Sequence, residues 1–408
     1  MRGTEAAISG CAADENELVT DPVSGPVLSA GQKQAAEAVL TRSWGERAEV
    51  RSAERIWDRE NVVRLELAGG RSAVLKRRRH PQDDARGRSF ERELAALDLL
   101  NGMPVPVAPR LLGADAAAGI LLMEDLGQDV SLADSLLTAG RERAEADLIA
   151  YARALGSMHA WTMQRADEPA SRVMEEPAWL TVIANGKKPF LAAAALMGLP
   201  IDGVASDIDQ VTVTLRGTGD LGLVHGDPCP DNVLVAGGAC RIVDFEAAGW
   251  GAVVLDVGYL LAPFPSCWCF AGLPAEMAAP AVGVYRETLD AAGICLGTGW
   301  DECVGAALAG WIVARGRGIA RLLDEDDEWG TTTMRPRLLA WLRSFLGRAG
   351  GEAALPRLRG LFAEMHDQLS SRWPEVRVPE YPPLARPGSQ VLPVPEWWPR
   401  RDWQEVDP

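Results

Sequence analysis

Between Arg55 and Arg77 apolar and polar residues alternate in two short runs, Val62-Val63-Arg64-Leu65-Glu66-Leu67 and Ser72-Ala73-Val74-Leu75-Lys76, with Ala68-Gly69-Gly70 between them. Alternation with a period of two around a Gly-Gly turn predicts a β-hairpin. The period then changes. Phe90, Leu94, Leu97 and Leu100 recur three or four residues apart, which predicts a helix stopped by Asn101-Gly102. Ile120-Leu121-Leu122-Met123 predicts a short strand, broken by Glu124-Asp125-Leu126-Gly127. After this strand, strand, helix, strand order the chain turns helical. Ala146 to Met163 is rich in helix formers, and further helical stretches run over 274–293, 300–323 and 335–370. Short strands are predicted at Leu221–Val224, Val233–Val235 and Arg241–Val243. Residues 1–30 show no sustained period and read as a flexible tail, and 374–408 as an extended tail rich in Pro and Trp. No internal repeat is present.

Length and charge narrow the picture. A chain of 408 residues, 47% hydrophobic and 24% charged, buries a core large enough for two lobes. Its net charge of −16 repels nucleic acid and anionic membrane and attracts a cationic small molecule. The start, Met1 to Glu5, leads into no apolar stretch, so no secretory signal is expected. Leu191 to Leu199 is too short to span a bilayer. Seven irregularly spaced cysteines fit reduced thiols in a cytoplasm. Cys267-Trp268-Cys269 hints at a metal site, but no CxxC and no nearby histidine supports it, so thiols are expected there too. Ten of the fourteen tryptophans stand at or beyond residue 250, which predicts core and tail packing. Trp250 or Trp268 as an aromatic wall for a ligand is the alternative.

The segment that carries chemistry is Leu223-Val224-His225-Gly226-Asp227-Pro228-Cys229-Pro230-Asp231-Asn232, followed after a short strand by Arg241-Ile242-Val243-Asp244-Phe245-Glu246. Apolar runs on either side anchor a polar loop. Phosphoryl transfer needs one carboxylate near the acceptor hydroxyl, and a second carboxylate with an amide oxygen for Mg²⁺. Asp227, Asp244 and Asn232 supply that set. A polar loop with an Asx turn is the plainer reading, and it leaves the spacing of three correctly typed residues unexplained.

This pattern resembles the aminoglycoside phosphotransferase and choline kinase family, relatives of the protein kinases, whose signature is HGDxxxxN followed by a DFE-type motif. The match spans roughly residues 50–265. The resemblance implies an α+β, two-lobed protein-kinase-like fold: an N-lobe over 31–127 with an antiparallel sheet, a mostly helical C-lobe over 128–373, and ATP (GTP being the alternative) between them with Mg²⁺. It implies Asp227 as general base or hydroxyl-orienting group, Asn232 and Asp244 as Mg²⁺ ligands, and His225 and Asp256 as supports of the catalytic loop. Lys76 would hold the α- and β-phosphates with Glu93 as its helix partner, and the backbone of Glu124 and Leu126 would meet adenine. Lys76 alone could equally belong to a solvated basic face with Arg77-Arg78-Arg79, and Glu93 to an ordinary helix surface.

Three features depart from the pattern. Cys229 stands where protein kinases carry a lysine, so Mg²⁺ and Lys76 must meet the γ-phosphate charge. The phosphate-covering loop Asp58–Asn61 has no glycine, and the Pro/Trp-rich tail matches no family element. Other motifs weigh little. Gly217 to Gly222 matches GxGxxG but precedes a strand rather than a helix, and no GxxxxGK[ST] occurs. His159 reads as a satisfied helix histidine, and Asp324–Glu328 as a solvated helix end. The expected activity is transfer of phosphate to a hydroxyl of a small molecule, an aminoglycoside-like or other natural-product antibiotic. A choline-like or sugar-alcohol kinase and a regulatory pseudokinase are the alternatives.

Overall fold

The computed structural model describes residues 27–56, 61–79, 88–127, 130–168, 171, 174–348, 355–396 and 398. Most of the predicted tail over 1–30, Asp58–Glu60 of the phosphate-covering loop and the end of the Pro/Trp-rich segment lie outside the described residues. The chain divides into two compact units, residues Met1–Gly127 with Asp244–Ala247, and Gln128–Val243 with Ala248–Pro408.

The first unit is a five-stranded antiparallel sheet with two helices. Strands β1 (Val50–Arg55), β2 (Val62–Leu67), β3 (Ser72–Arg77), β4 (Leu111–Asp115) and β5 (Ile120–Glu124) pair in the order β1-β2-β3-β5-β4. The predicted hairpin is β2–β3, with Val63 opposite Leu75 and Leu65 opposite Ala73. These four residues are fully buried and pack with Val39 and Leu40 of helix α1 (Ala30–Trp44). Alternation along β3 therefore sends Leu75 into this core and Lys76 to the opposite face. Helix α1 starts at a capping box, Ser29 with Gln32, and stops at Gly45 in the left-handed region. Helix α2 (Ser89–Leu100) follows the predicted span and ends before Asn101-Gly102. Burying Leu65 contributes about 2–5 kcal/mol against Ala, so Leu65→Ala should lower the denaturation midpoint clearly.

The second unit is mostly helical. Helices α3 (Leu132–Thr138) and α4 (Arg141–Met163) come first, and among the described residues three short antiparallel pairs follow, the last joining Glu328–Trp329 to Thr332–Thr333. Strands β6 (Leu221–Val224) and β9 (Gly249–Ala252) form one pair, and β7 (Val233–Ala236) and β8 (Ala239–Ile242) another. The predicted helical stretch over 300–323 divides into Trp300–Ala314 and Gly316–Leu322. That over 335–370 divides into Met334–Leu346 and Pro356–Arg372. The apolar run at 191–199 begins in a helix, Ala178–Leu196, which contains Pro189, and ends just past its C-terminus. A Cβ at Gly186 in that helix would lie 2.2 Å from the Val313 carbonyl oxygen, so this glycine permits the close approach of the helix Trp300–Ala314. The segment after Trp373 is joined to the rest of the unit by a bridge of Glu380 with Gly272 and folds on itself through a bridge of Glu380 with Val391, and it buries Tyr381, Leu384, Leu392 and Trp398. No described helix is long and apolar enough to cross a membrane.

The expectation of seven reduced thiols is corrected at two positions. Cys229 and Cys267 form a disulfide, their Cα atoms 5.6 Å apart, which is the usual separation for such a bridge. The Sγ of Cys269 lies 2.8 Å from that of Cys267.

Candidate catalytic site

Two clusters, one in each unit, collect the residues singled out by the sequence. In the first unit Lys76, 8% exposed, is surrounded by acids. Its Nζ lies 2.6 Å from Glu93 Oε2 of α2, in contact with Asp244 Oδ1, and 3.6 Å from Glu246 Oε2. Arg79 meets Glu246 from the rim at 3.6 Å. Burial opposes the charge on Lys76, but Asp244, Glu93 and Glu246 outweigh it and hold its pKa above the ordinary lysine value. Burial pushes the Glu93 carboxyl up to about 7, against the pull of Lys76. Three carboxylates thus face one lysine in a largely desolvated place. Asp244 adopts a left-handed backbone (φ 69°), and its carboxylate meets Lys76 of β3. Lys76 is no member of a free basic face: Arg78 beside it turns outward, paired with Glu91 at 2.8 Å, while Lys76 turns inward. Glu124 ends β5, where its amide donates to the Arg110 carbonyl at 2.9 Å, and Leu126 follows two residues later.

The second cluster is built on the loop after β6. Asp256, fully buried on the helix Val254–Leu261, accepts the His225 amide at 2.7 Å and the Gly226 amide at 3.0 Å. It also meets His159 Nε2 at 3.2 Å, and His159 Nδ1 meets the Tyr285 hydroxyl at 2.8 Å. His159 is therefore a satisfied helix histidine, as its sequence context predicts. The His225 ring is oriented from both sides. The Asp227 amide donates to Nδ1 at 3.2 Å, which leaves Nε2 as the protonated nitrogen, donating to the Val243 carbonyl at 3.0 Å. Gly226 adopts φ 82°, and its carbonyl accepts the Trp179 indole N–H. Losing the Asp256 carboxylate strands several buried donors. Asp256→Ala should cost roughly 3 kcal/mol or more, read as a lower midpoint in chemical denaturation.

Asp227 is half-buried at the tip of this frame. Its Oδ1 accepts the Ser266 hydroxyl at 2.7 Å and lies 3.0 Å from the Tyr259 hydroxyl, which is itself 2.6 Å from Ser266 Oγ. Burial first, and Asp227 second, hold the Tyr259 phenol well above its ordinary pKa, so it remains a donor across the working pH range. The side-chain amide nitrogen of Asn232 donates to the Asp227 carbonyl at 3.1 Å. This leaves the amide oxygen as the end of the Asn232 side chain able to accept a hydrogen bond or ligate a cation. Neither Tyr259 nor Ser266 was expected from the sequence. Tyr259 stands three residues after Asp256 on one helix face, a spacing that could have drawn attention to it. Ser266→Ala should lower turnover roughly tenfold with little change in nucleotide KM, because only the aim of the Asp227 carboxylate is disturbed. Of the two tryptophans considered as an aromatic wall, Trp268 donates to Asp231 at 3.0 Å and packs on Trp398.

A lysine held by a helix glutamate beside a DFE-type aspartate, on an α+β sheet unit followed by a helical unit, defines a kinase-like phosphotransferase. The model of the phosphotransferase enzyme family APH matches residues 52–291, more than half of the chain, and the chain belongs to that family. Among solved structures, a protein assigned as an aminoglycoside phosphotransferase from Ralstonia eutropha shares the fold at a TM-score of 0.51 and 17% identity, over 82% of this chain and 98% of its own. A choline/ethanolamine kinase family protein from Mesorhizobium loti aligns at 16% identity and a TM-score of 0.46, over 76% of this chain and 93% of its own. An ADP-bound aminoglycoside phosphotransferase aligns at 14% and 0.45, over 83% and 99%. A search of curated protein sequences finds no match.

Proposed function

We propose that the chain is an ATP-dependent phosphotransferase that moves the γ-phosphate to a hydroxyl of a small molecule, an aminoglycoside-like or other natural-product antibiotic, in a resistance or self-protection role in the cytoplasm. The single observation that carries the reaction type is Lys76, bound to Glu93 and Asp244 and outnumbered by acids. A buried lysine with surplus carboxylate around it suits a polyphosphate bound together with a divalent cation, whose charges complete the balance. The donor set fits Mg²⁺: a carboxylate on Asp244 and an amide oxygen on Asn232, both oxygen ligands. When bound, Mg²⁺ supplies charge compensation to the phosphates. Lys76 contributes a fixed cation to the same phosphates, and Glu93 keeps it in place. Glu124 and Leu126 offer backbone groups to the adenine edge. GTP in place of ATP would use the same triphosphate contacts.

Asp227 serves as the group that orients the acceptor hydroxyl and takes its proton. With Oδ1 engaged by Ser266, its other carboxylate oxygen, Oδ2, is the atom for the acceptor. His225 and Asp256 support the loop and take no proton in the reaction. The protein supplies position and charge, and the covalent change is confined to nucleotide and acceptor. For the acceptor, the family and the net charge of −16 support a cationic molecule. An ADP-release screen against antibiotics, nucleosides and amino alcohols tests the reading, with Asp227→Asn as blank. Release stimulated by aminoglycoside-like compounds is expected; stimulation by choline-like or sugar alcohols alone would replace the antibiotic by a metabolite. No stimulation by any acceptor class would leave a nucleotide-binding regulator instead.

A further inference from the structure

Three sulfur atoms converge on the loop that carries Asp227. Cys229, two residues beyond Asp227, is bonded to Cys267, and the Sγ of Cys269 stands 2.8 Å from that of Cys267. All three cysteines are buried. The bridge joins two segments that already meet at Asp227. On one side, the Cys229 amide donates to the Asp227 carbonyl at 2.8 Å, and the Asn232 amide to the Cys229 carbonyl at 2.8 Å. On the other, Ser266, the residue before Cys267, donates to the Asp227 carboxylate at 2.7 Å. The second segment is fastened from behind by Arg337, fully buried, which donates to the carbonyls of Cys267 at 2.7 Å and Trp329 at 2.8 Å. Burial lowers the Arg337 pKa to about 9, which leaves it a cation at neutral pH, close to the sulfurs.

We propose that Cys229, Cys267 and Cys269 form a thiol–disulfide exchange site that ties the catalytic loop to the Ser266 segment in one redox state and releases it in another. In its catalytic consequence the proposal rests on the reading of Asp227 given above. Disulfides inside cytoplasmic enzymes are commonly transient and redox-sensing rather than structural, and a third thiol in contact with a bridge gives it a second pairing. In the internal step the Cys269 thiolate attacks Cys267 Sγ. The bond from Cys267 to Cys229 breaks, a bond from Cys267 to Cys269 forms, and Cys229 leaves as a thiolate that takes the proton given up by Cys269. No electrons are gained or lost. Cys229 and Cys267 carry the bond in the resting pairing, and burial pushes the Cys269 thiol above its ordinary pKa, which keeps the attacking thiolate scarce and the exchange slow. Full opening needs two electrons and two protons from a thiol reductant: one thiolate forms a mixed disulfide, a second thiol resolves it, and the reductant departs as its own disulfide. Closure reverses these steps with a low-molecular-weight disulfide.

A divalent metal is the rival occupant, since Cys229, Cys267 and Asp231 bring ligand atoms within 4.8 Å of one another. The bridge is favoured by the buried Arg337 cation, which donates to the Cys267 carbonyl at 2.7 Å and would repel a second cation at these sulfurs.

Tryptic peptides distinguish the pairings. Cys229 lies in the peptide 217–241, while Cys267 and Cys269 share the peptide 242–286. The full-length protein is equilibrated in mixtures of reduced and oxidised glutathione, alkylated and digested without reduction, and hydrogen exchange of the 225–232 amides is followed in the same mixtures. Under oxidising conditions the two peptides are expected as a linked pair, and a minor population of 242–286 should carry an internal bridge that Cys269→Ser abolishes. Loss of the link should speed exchange of the loop amides roughly tenfold and lower turnover by a similar factor. The proposal is overturned by a linked pair absent at every glutathione ratio, by loop exchange indifferent to the link, or by one equivalent of tightly held zinc. Linkage and loop exchange are read without any acceptor, so they remain decisive if the Asp227→Asn assay were to reject the phosphotransferase reading.

Discussion

Asp227→Asn is expected to lower turnover by roughly 10²–10⁴ while leaving ATP affinity within about threefold of the parent. The geometry explains both halves of this result. Within the second unit the Asp227 carboxylate is engaged by Ser266 and Tyr259, and its backbone by His225, Cys229 and Asn232, so its substitution is aimed at the acceptor side of the reaction. An asparagine keeps the volume and an oxygen that can accept the Ser266 proton, so the loop should hold its shape. What it loses is the negative charge that, in the proposed reaction, draws the acceptor proton. Steady-state rates alongside calorimetric ATP titration check the pair of outcomes. A turnover near the parent value would remove Asp227 from the chemistry, and a matching loss of ATP affinity would point instead to a damaged fold.

Asp244→Ala should abolish the Mg²⁺-dependent part of nucleotide binding, a loss of roughly 100-fold or more in affinity when metal is present. Two effects add in this variant, because Ala also fits the left-handed backbone at this position poorly (φ 69°). Asp244→Asn separates them. Asparagine tolerates that conformation and keeps an oxygen, so it removes charge alone and should still lose most of the metal-dependent binding. Lys76 retains Glu93 at 2.6 Å in both variants, so the binding that persists without metal should change little. Calorimetry with and without Mg²⁺ reads these terms directly. Equal affinity with and without Asp244 in the presence of metal would contradict the assignment.

What could be read before folding was whatever depends on local period and tight spacing. The β2–β3 hairpin follows from alternation around Gly69-Gly70, and the helix Ser89–Leu100 from its apolar stripe. Strand β1 escaped because it lies at a sheet edge with Val50 as its one fully buried residue, so Arg51 to Arg55 carry little apolar signal. Strand β4 was hidden by Gly113 and an irregular register. Helix Ala178–Leu196 was obscured by Gly186 and Pro189, whose cost is met by close packing rather than by local preference. In the candidate site, Lys76, Glu93 and Asp244 could be listed in order but not joined, and their contact is a product of the sheet and helix packing. Tyr259 and Ser266 were beyond reach for the same reason, since they approach Asp227 from 32 and 39 residues away. The Cys229–Cys267 bridge spans 38 residues in a chain with an odd number of cysteines, and no spacing rule announces it.

In the proposed reaction Asp227 directs the γ-phosphate of ATP onto a small-molecule hydroxyl. The most direct test is mass spectrometry of an acceptor mixture incubated with ATP, Mg²⁺ and either the parent chain or Asp227→Asn. A singly phosphorylated acceptor is expected with the parent, and none above background with the variant. Nucleotide consumption that leaves every acceptor unmodified, or the same phosphorylated product at the same rate from both proteins, would contradict this assignment.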